Sequence, residues 1–339
     1  MKVIQHGLGL MGRMAVKMMV QKGIEVVGAV DSYKEYWGKD LGEVVGLDKK
    51  LGIKVSEDTE SVLKNVKADI VANASVSYME KLAPTIYPYL DAGMNFASIS
   101  EELSYPWHKY PKLAKELDDR AKKNKVTVVA TGVNPGSGMD LMPLTYAGGC
   151  WNVNRIKVQR VLDGSPYSPT RGAKRFGVDP AAFSQGAKEK TVPLHTGLYE
   201  SLTMVSDGLG WKLDNIYEYW TPLISQSLRE TKNYTIKPGT TSGWKQSAVG
   251  TMGGEVKIEL EIYFMIKPDP VEDGVTIGNT IWIEGEPSMC IREGGGSVER
   301  GDLVTSGKLV NILPAAIAAR PGLLAVKDLP PAPPLPDIK

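Results

Sequence analysis

Three glycines constrain the start of this chain more than any other feature. Gly7, Gly9 and Gly12 are spaced Gly-x-Gly-x-x-Gly, directly after the short apolar run Val3–Gln5 and at the opening of a helical pattern over Met11–Lys22. In that setting the first glycine permits a tight turn and the second lets backbone approach a pyrophosphate. The third lets helix pack closely on strand, and the first helical amides face the phosphates. Asp31 ends the next β-branched run, Glu25–Val30, 19 residues after Gly12. A carboxylate there accepts hydrogen bonds from the adenosine ribose hydroxyls and repels a 2′-phosphate, so NAD is expected, with NADP admitted by the nearby Lys34. Gly7, Leu8, Gly9, Leu10, Met11, Gly12 and Asp31 are the cofactor-binding residues this pattern predicts. His6 reads as a structural group at a strand end rather than a cofactor contact.

The alternation continues. Thr59–Asn65, Met79–Ala92 and Leu113–Asn124 have helical period, and Ala68–Asn73, Asn95–Ser100 and Thr127–Ala130 read as strands. This predicts an α/β Rossmann domain, a doubly wound sheet of about five parallel strands with helices on both faces. After Asn134-Pro135-Gly136 the texture changes: Arg155–Leu162, Thr235–Ile236, Glu255–Ile266 and Thr280–Gly285 alternate like half-buried antiparallel strands. A second α+β domain on a mostly antiparallel sheet follows. Leu303–Ala319 is helical, and the prolines of 330–334 form an extended tail. The expected division is a dinucleotide-binding domain over 1–134 with a C-terminal return over 305–339, and a substrate-binding and dimerisation domain over 135–304.

Charge and cysteine content narrow the partners. Lys plus Arg number 40 against 39 Asp plus Glu, so no net field recruits nucleic acid or an anionic membrane. Cys150 and Cys290 stand far apart and outside any metal-ligand spacing, so neither a disulfide framework nor a metal site is expected. Glycines interrupt the N-terminal apolar run too early for a signal peptide, which points to the cytoplasm. A small polar substrate fits better than a macromolecule.

Three further segments fall where parallel strands end, the edge at which open sheets hold ligands. Asn73-Ala74-Ser75 places Ala74 and Ser75 beside a nicotinamide ribose. Thr131–Gly136 offers Asn134 and Pro135 to a carboxamide. Ser100–Trp107 contains the adjacent acids Glu101 and Glu102. With GLGLMG at Gly7–Gly12, GKDLGEVVG at Gly38–Gly46, SEELSYPW at Ser100–Trp107, TGVNPG at Thr131–Gly136, DGLGWKLD at Asp207–Asp214 and the Pro314–Leu329 ending, the chain resembles a known group over nearly its whole length. That group is the 2,4-diaminopentanoate dehydrogenases and native amine dehydrogenases, within the dihydrodipicolinate-reductase-like proteins. The resemblance implies NAD(P)-dependent oxidative deamination of an amine to a ketone and ammonia, 2,4-diaminopentanoate first, reversible as reductive amination. It also implies a catalytic glutamate in the block of Glu101 and Glu102. The chain departs from the group's pattern at Gln159-Arg160, at Ser137, and at Ile262-Tyr263-Phe264, where relatives carry a histidine facing the substrate.

Removing hydride from a carbon bearing nitrogen requires a neutral amine, so a base must first take the ammonium proton; a carboxylate with raised proton affinity suits this. Glu102 is the preferred base, with Glu101 as the alternative that caps a helix or exchanges roles with it. Ser137, Met142, Arg160, Tyr167, Thr170 and His195 are the candidate pocket residues, and Arg160, Arg171, Lys174 and Arg175 offer charges to a substrate carboxylate. The alternating strands of the second domain leave one sheet face to be covered, so a homodimer is expected. A cyclic-imine reductase and a non-catalytic NAD-sensing protein are the alternative readings.

Overall fold

The computed structural model describes residues 1–172, 174–294 and 298–336; of Arg171, Gly172 and residues 298–300 it describes the backbone. The chain packs as two units, Met1–Ser137 with Asp302–Lys339, and Gly138–Gly301.

The first unit is built from β1 (Lys2–His6), α1 (Leu10–Gln21), β2 (Glu25–Val30), α2 (Leu41–Val45), β3 (Val55–Ser56), α3 (Thr59–Asn65), β4 (Ile70–Asn73), α4 (Met79–Asp91), β5 (Asn95–Ser98), α5 (Pro111–Lys123) and β6 (Thr127–Ala130). β4 and β6 are buried along their whole length, as strands covered on both faces must be. α5 shows the complementary pattern, burying Ala114, Leu117 and Ala121 on one face and leaving its charges outside. α4 continues through Pro84 and Pro88 because Met79, Leu82, Ala83, Ile86 and Tyr89 bury one face, outweighing the amides the prolines lack.

The sequence read about five strands; among the described residues this sheet has seven, in the order β15-β6-β5-β4-β1-β2-β3, all parallel. The two edge strands escaped notice because β3 has two residues and β15 (Gly322–Leu324) three, too few to show a period. β15 follows the helix α10 (Val298–Ala318). The chain winds from β1 out to β3, then returns to the other side of β1 with β4. The carboxyl ends of β1 and β4 therefore flank the crevice at which such sheets bind ligands.

The second unit contains α6 (Leu141–Ala147), β7 (Asn152–Asp163), α7 (Pro169–Gly172), α8 (Pro180–Lys188), α9 (Leu198–Gly208), β8 (Asn215–Ile224), β9 (Arg229–Glu230), β10 (Thr235–Ile236), β11 (Thr241–Met252), β12 (Glu255–Met265), β13 (Gly278–Glu286) and β14 (Met289–Gly294). Its main sheet runs β14-β13-β7-β12-β11-β8, antiparallel except for the pair β7 and β12. One face, with Ile156, Val158, Leu260 and Trp244, joins Phe183, Leu198 and Leu202 of the helices in a core. The other carries a charge ladder: Arg155 bridges Glu259 and Glu284, Lys157 bridges Glu259 and Glu261, and Lys245 bridges Glu261. No helix among the described residues is long and apolar enough to cross a membrane.

Candidate active site

The glycine loop joins β1 to α1. Gly7 has φ +89°, and a Cβ there would sit 2.6 Å from the backbone of Ala74 at the end of β4. At Gly12 a Cβ would meet the carbonyl oxygen of Gly7 at 1.9 Å, so only glycine lets the helix approach the turn. Gly9 differs: nothing lies within 4 Å of a Cβ built on it. α1 starts there without a side-chain cap and without an acidic residue in its first turn. Its first amides and the positive end of its dipole are left for an anion. Leu8 is buried and Leu10 exposed, so the loop is anchored on one side and open on the other.

Asp31 braces this loop. Leu8 N donates to its Oδ2 at 2.5 Å and Tyr33 N to its Oδ1 at 2.7 Å, while Trp37 Nε1 donates to its backbone oxygen at 2.8 Å. Each carboxylate oxygen keeps further acceptor capacity. The open space over Gly9, the uncapped helix start and the fixed carboxylate fit a dinucleotide. His6, by contrast, is half-buried and turned to the core residue Tyr89, with Nδ1 hydrogen-bonded to Tyr89 Oη at 3.0 Å. Burial holds its imidazole down at about 4, against the upward pull of Asp31.

Next to the loop, Asn73 Nδ2 donates to Ser75 Oγ at 2.9 Å, Ser98 Oγ donates to Asn73 Oδ1 at 2.9 Å, and Ser100 N donates to Ser98 Oγ at 3.0 Å. This polar string ties the ends of β4 and β5 and leads to Glu101. Thr131 N donates to Ser98 O, drawing the 131–136 segment to the same edge, where Asn134 and Ser137 are buried. A Cβ on Gly136 would lie 2.5 Å from Gly132 N, so this turn closes on itself.

The two glutamates have different surroundings. Glu102, preferred from sequence, has a side chain only 4 % exposed. Its Oε2 accepts from Met79 N at 2.7 Å and its Oε1 from Lys109 Nζ at 2.7 Å. It thus caps α4, whose N-cap residue Tyr78 supplies no side-chain bond. Glu101 is half-buried and set differently. Burial pushes its carboxyl above the usual carboxylate range, and the Glu102 charge adds to this, although Ser77 and the backbone pull it back. The helix-capping position expected of Glu101 is taken by Glu102.

In the second unit Arg160 lies on β7, 9 % exposed, between Ile262 of β12 and Asn279 of β13. Burial lowers its guanidinium to about 10, with Glu293 and Tyr167 pulling upward. Tyr167 stacks on Phe264 with ring centres 5.3 Å apart. Its turn is held by a residue the sequence did not suggest: Asn233 Nδ2 donates to the carbonyls of Ser165, Pro166 and Tyr167 at 3.1, 3.3 and 3.1 Å. His195 is fixed through its backbone, donating from N to Gln246 Oε1 at 3.0 Å and accepting at O from Gln246 Nε2 at 2.8 Å. Met142 packs at the border of the core. Thr170 and Lys174 are exposed, Arg175 lies 5.7 Å from the Trp244 ring, and the side chain of Arg171 lies outside the described residues.

Residues 138–336 match the family described as 2,4-diaminopentanoate dehydrogenase C-terminal domain, and residues 1–83 match the dihydrodipicolinate reductase N-terminus. The chain is 34% identical over 338 residues to the 2,4-diaminopentanoate dehydrogenase of Acetoanaerobium sticklandii, covering 97% of this chain and 93% of that one. It is 24% identical to the amine dehydrogenase of Streptomyces virginiae, over 96% and 94% of the two chains. The solved amine dehydrogenase of Mycobacterium smegmatis superposes with a TM-score of 0.82 at 25% identity, covering 98% of this chain and 96% of the other.

Proposed function

Because the chain belongs to the 2,4-diaminopentanoate dehydrogenase family, we propose that it oxidatively deaminates an amine to a ketone and ammonia with a nicotinamide dinucleotide, and that Glu101 is its base. The observation that carries this reading is the half-buried Glu101 carboxyl, at the sheet edge that also bears the glycine loop, with its proton affinity raised by desolvation. Glu101 takes the proton of the substrate ammonium and leaves a neutral amine, whose lone pair stabilises the cation formed as hydride departs. The dinucleotide, when bound, supplies the hydride acceptor. Glu101 then passes its proton to solvent, activates water to attack the iminium carbon, and returns a proton to the departing nitrogen as the carbonyl forms.

NAD is the proposed form of the cofactor, supported by the Asp31 carboxylate fixed beside the loop; Asp31→Ser should shift kcat/KM towards NADP⁺. The substrate proposed first is 2,4-diaminopentanoate, with Arg160 as the candidate partner of its carboxylate, so Arg160→Met should raise KM for carboxylate-bearing amines and spare neutral ones. The 138–301 unit is proposed to bind substrate and pair two copies through its charge-laddered sheet face, where Tyr217 and Tyr219 of β8 stand 53% and 45% exposed. Light scattering should then give a dimer. Two free cysteines suit a reducing cytoplasm.

The deciding experiment is Glu101→Gln, which keeps shape but cannot accept the proton. NADH binding should persist while single-turnover deamination falls by about 10²–10⁴-fold. A near-wild-type rate overturns the reading.

A further inference from the structure

The structure gives Glu102 an arrangement that a simple helix cap does not need. A cap requires one acceptor for one amide, which Oε2 provides to Met79 N. Its other oxygen is taken by Lys109 Nζ at 2.7 Å, and the ammonium lies 5.5 Å from the centre of the Tyr110 ring. The backbone of Glu102 is tied as well, N donating to Ser77 O, which also accepts from Ser100 Oγ at 3.0 Å. On the far side of Glu101, Ser104 Oγ donates to the Glu101 carbonyl at 2.6 Å. Residues 100–104 are therefore clamped on both sides of one side chain, with an ion pair directly next to it.

We propose that Glu102 and Lys109 form a positioning pair for Glu101, fixing the direction of its side chain and setting the net charge it experiences. This rests on the reading of Glu101 as the base. The buried anion next door makes Glu101 hold its proton more tightly, while Lys109 moderates that anion. The other titratable groups around the clamp are Tyr110, Glu80 in the first turn of α4, and His108, whose ring stacks on Tyr105. Met79 N presents the positive end of α4 to Glu102.

The pair predicts displacements of opposite sign. Glu102→Gln can still accept from Met79 N but removes the negative charge next to Glu101, so the acid limb of the pH profile for deamination should move down by about half to one pH unit. Lys109→Met leaves Glu102 unopposed and should move it up by a similar amount. The double variant should return close to wild type. Protonation of the substrate itself shifts none of these differences. The same order should appear without cofactor in infrared titration of the Glu101 carboxyl, identified as the band missing in Glu101→Gln. Should Glu102→Gln fail to fold, Lys109→Met carries the test, because that side chain is partly exposed. Singles that move in the same direction, or lose rate with the limb unmoved, overturn the pair. A near-wild-type Glu101→Gln instead removes the base assignment, and the infrared titration still reads the pair.

Discussion

His6 should make this fold acid-sensitive within a definable window. Its ring is half-buried at the end of β1, hydrogen-bonded to Tyr89, and desolvation lowers it from 6.5 to about 4. Between those values the unfolded chain binds a proton that the folded chain does not, so stability falls as pH drops through 6.5 and the loss is complete below 4. Each pH unit is worth about 1.4 kcal/mol, so the difference amounts to about 3 kcal/mol. The assay is urea unfolding at intervals from pH 7.5 to 4, comparing wild type with His6→Asn, whose amide reaches Tyr89 without titrating. Carboxylates contribute equally to both, so the difference between the curves isolates His6. Wild type should be the more stable at pH 7 and lose that advantage by pH 4. Parallel curves would refute the claim that His6 is held neutral in the fold.

Four further outcomes follow from the geometry. Gly9→Ala should leave stability within about 0.5 kcal/mol, having no clash, yet weaken dinucleotide binding measured by calorimetry. Gly12→Ala places its Cβ against the Gly7 carbonyl and should cost about 1–3 kcal/mol in denaturant unfolding. Glu101→Gln should raise the melting temperature at pH 7, because a carboxyl with raised proton affinity contributes stability below its unfolded value and loses it as pH rises through the folded one. Arg229→Met should cost about 3–5 kcal/mol in the same unfolding assay, because it strands Glu272 and Asp273, which the buried guanidinium holds at 2.6 and 2.7 Å.

The βα alternation of the first 130 residues was legible because, β3 apart, its strands and main helices are long enough to show their own period, and glycines mark the β1–α1 turn and the ends of α1 and α4. β11 was not legible. Its Gly243 and Gly250 stand where a Cβ would meet the Phe264 carbonyl at 1.9 Å and Leu213 at 2.6 Å, so close packing removed the apolar signal that marks a strand. α9 was missed because buried Ser201, Thr203, Ser206 and Glu200 interrupt its apolar face, and α8 because its buried face offers one large apolar residue, Phe183, beside Gly186 and Ala187. At the candidate site the sequence supplied the acidic pair but not its division of labour. Neighbouring residues in a turn point in unrelated directions, and what separates Glu101 from Glu102 is the amide of Met79 and the ammonium of Lys109, respectively 23 and 7 residues away.

The chain leaves the first unit after Ser137 and re-enters it at Asp302, and β15 then lies beside β6, with Gly322 opposite Thr127. Thr127 Oγ1 donates to Arg320 O and Leu323 N to Asp118 Oδ1, so the last strand is fastened to elements translated far earlier. During synthesis the inserted unit is complete while its host still lacks a strand, and pairing across so long a separation is slow to form. Both ends of the insert belong to the same host, so it behaves as a cassette. Exchanging residues 138–301 with those of a relative would leave the seven-stranded sheet with all its strands from one parent, whereas a crossover placed once between β6 and β15 would leave those two strands from different parents.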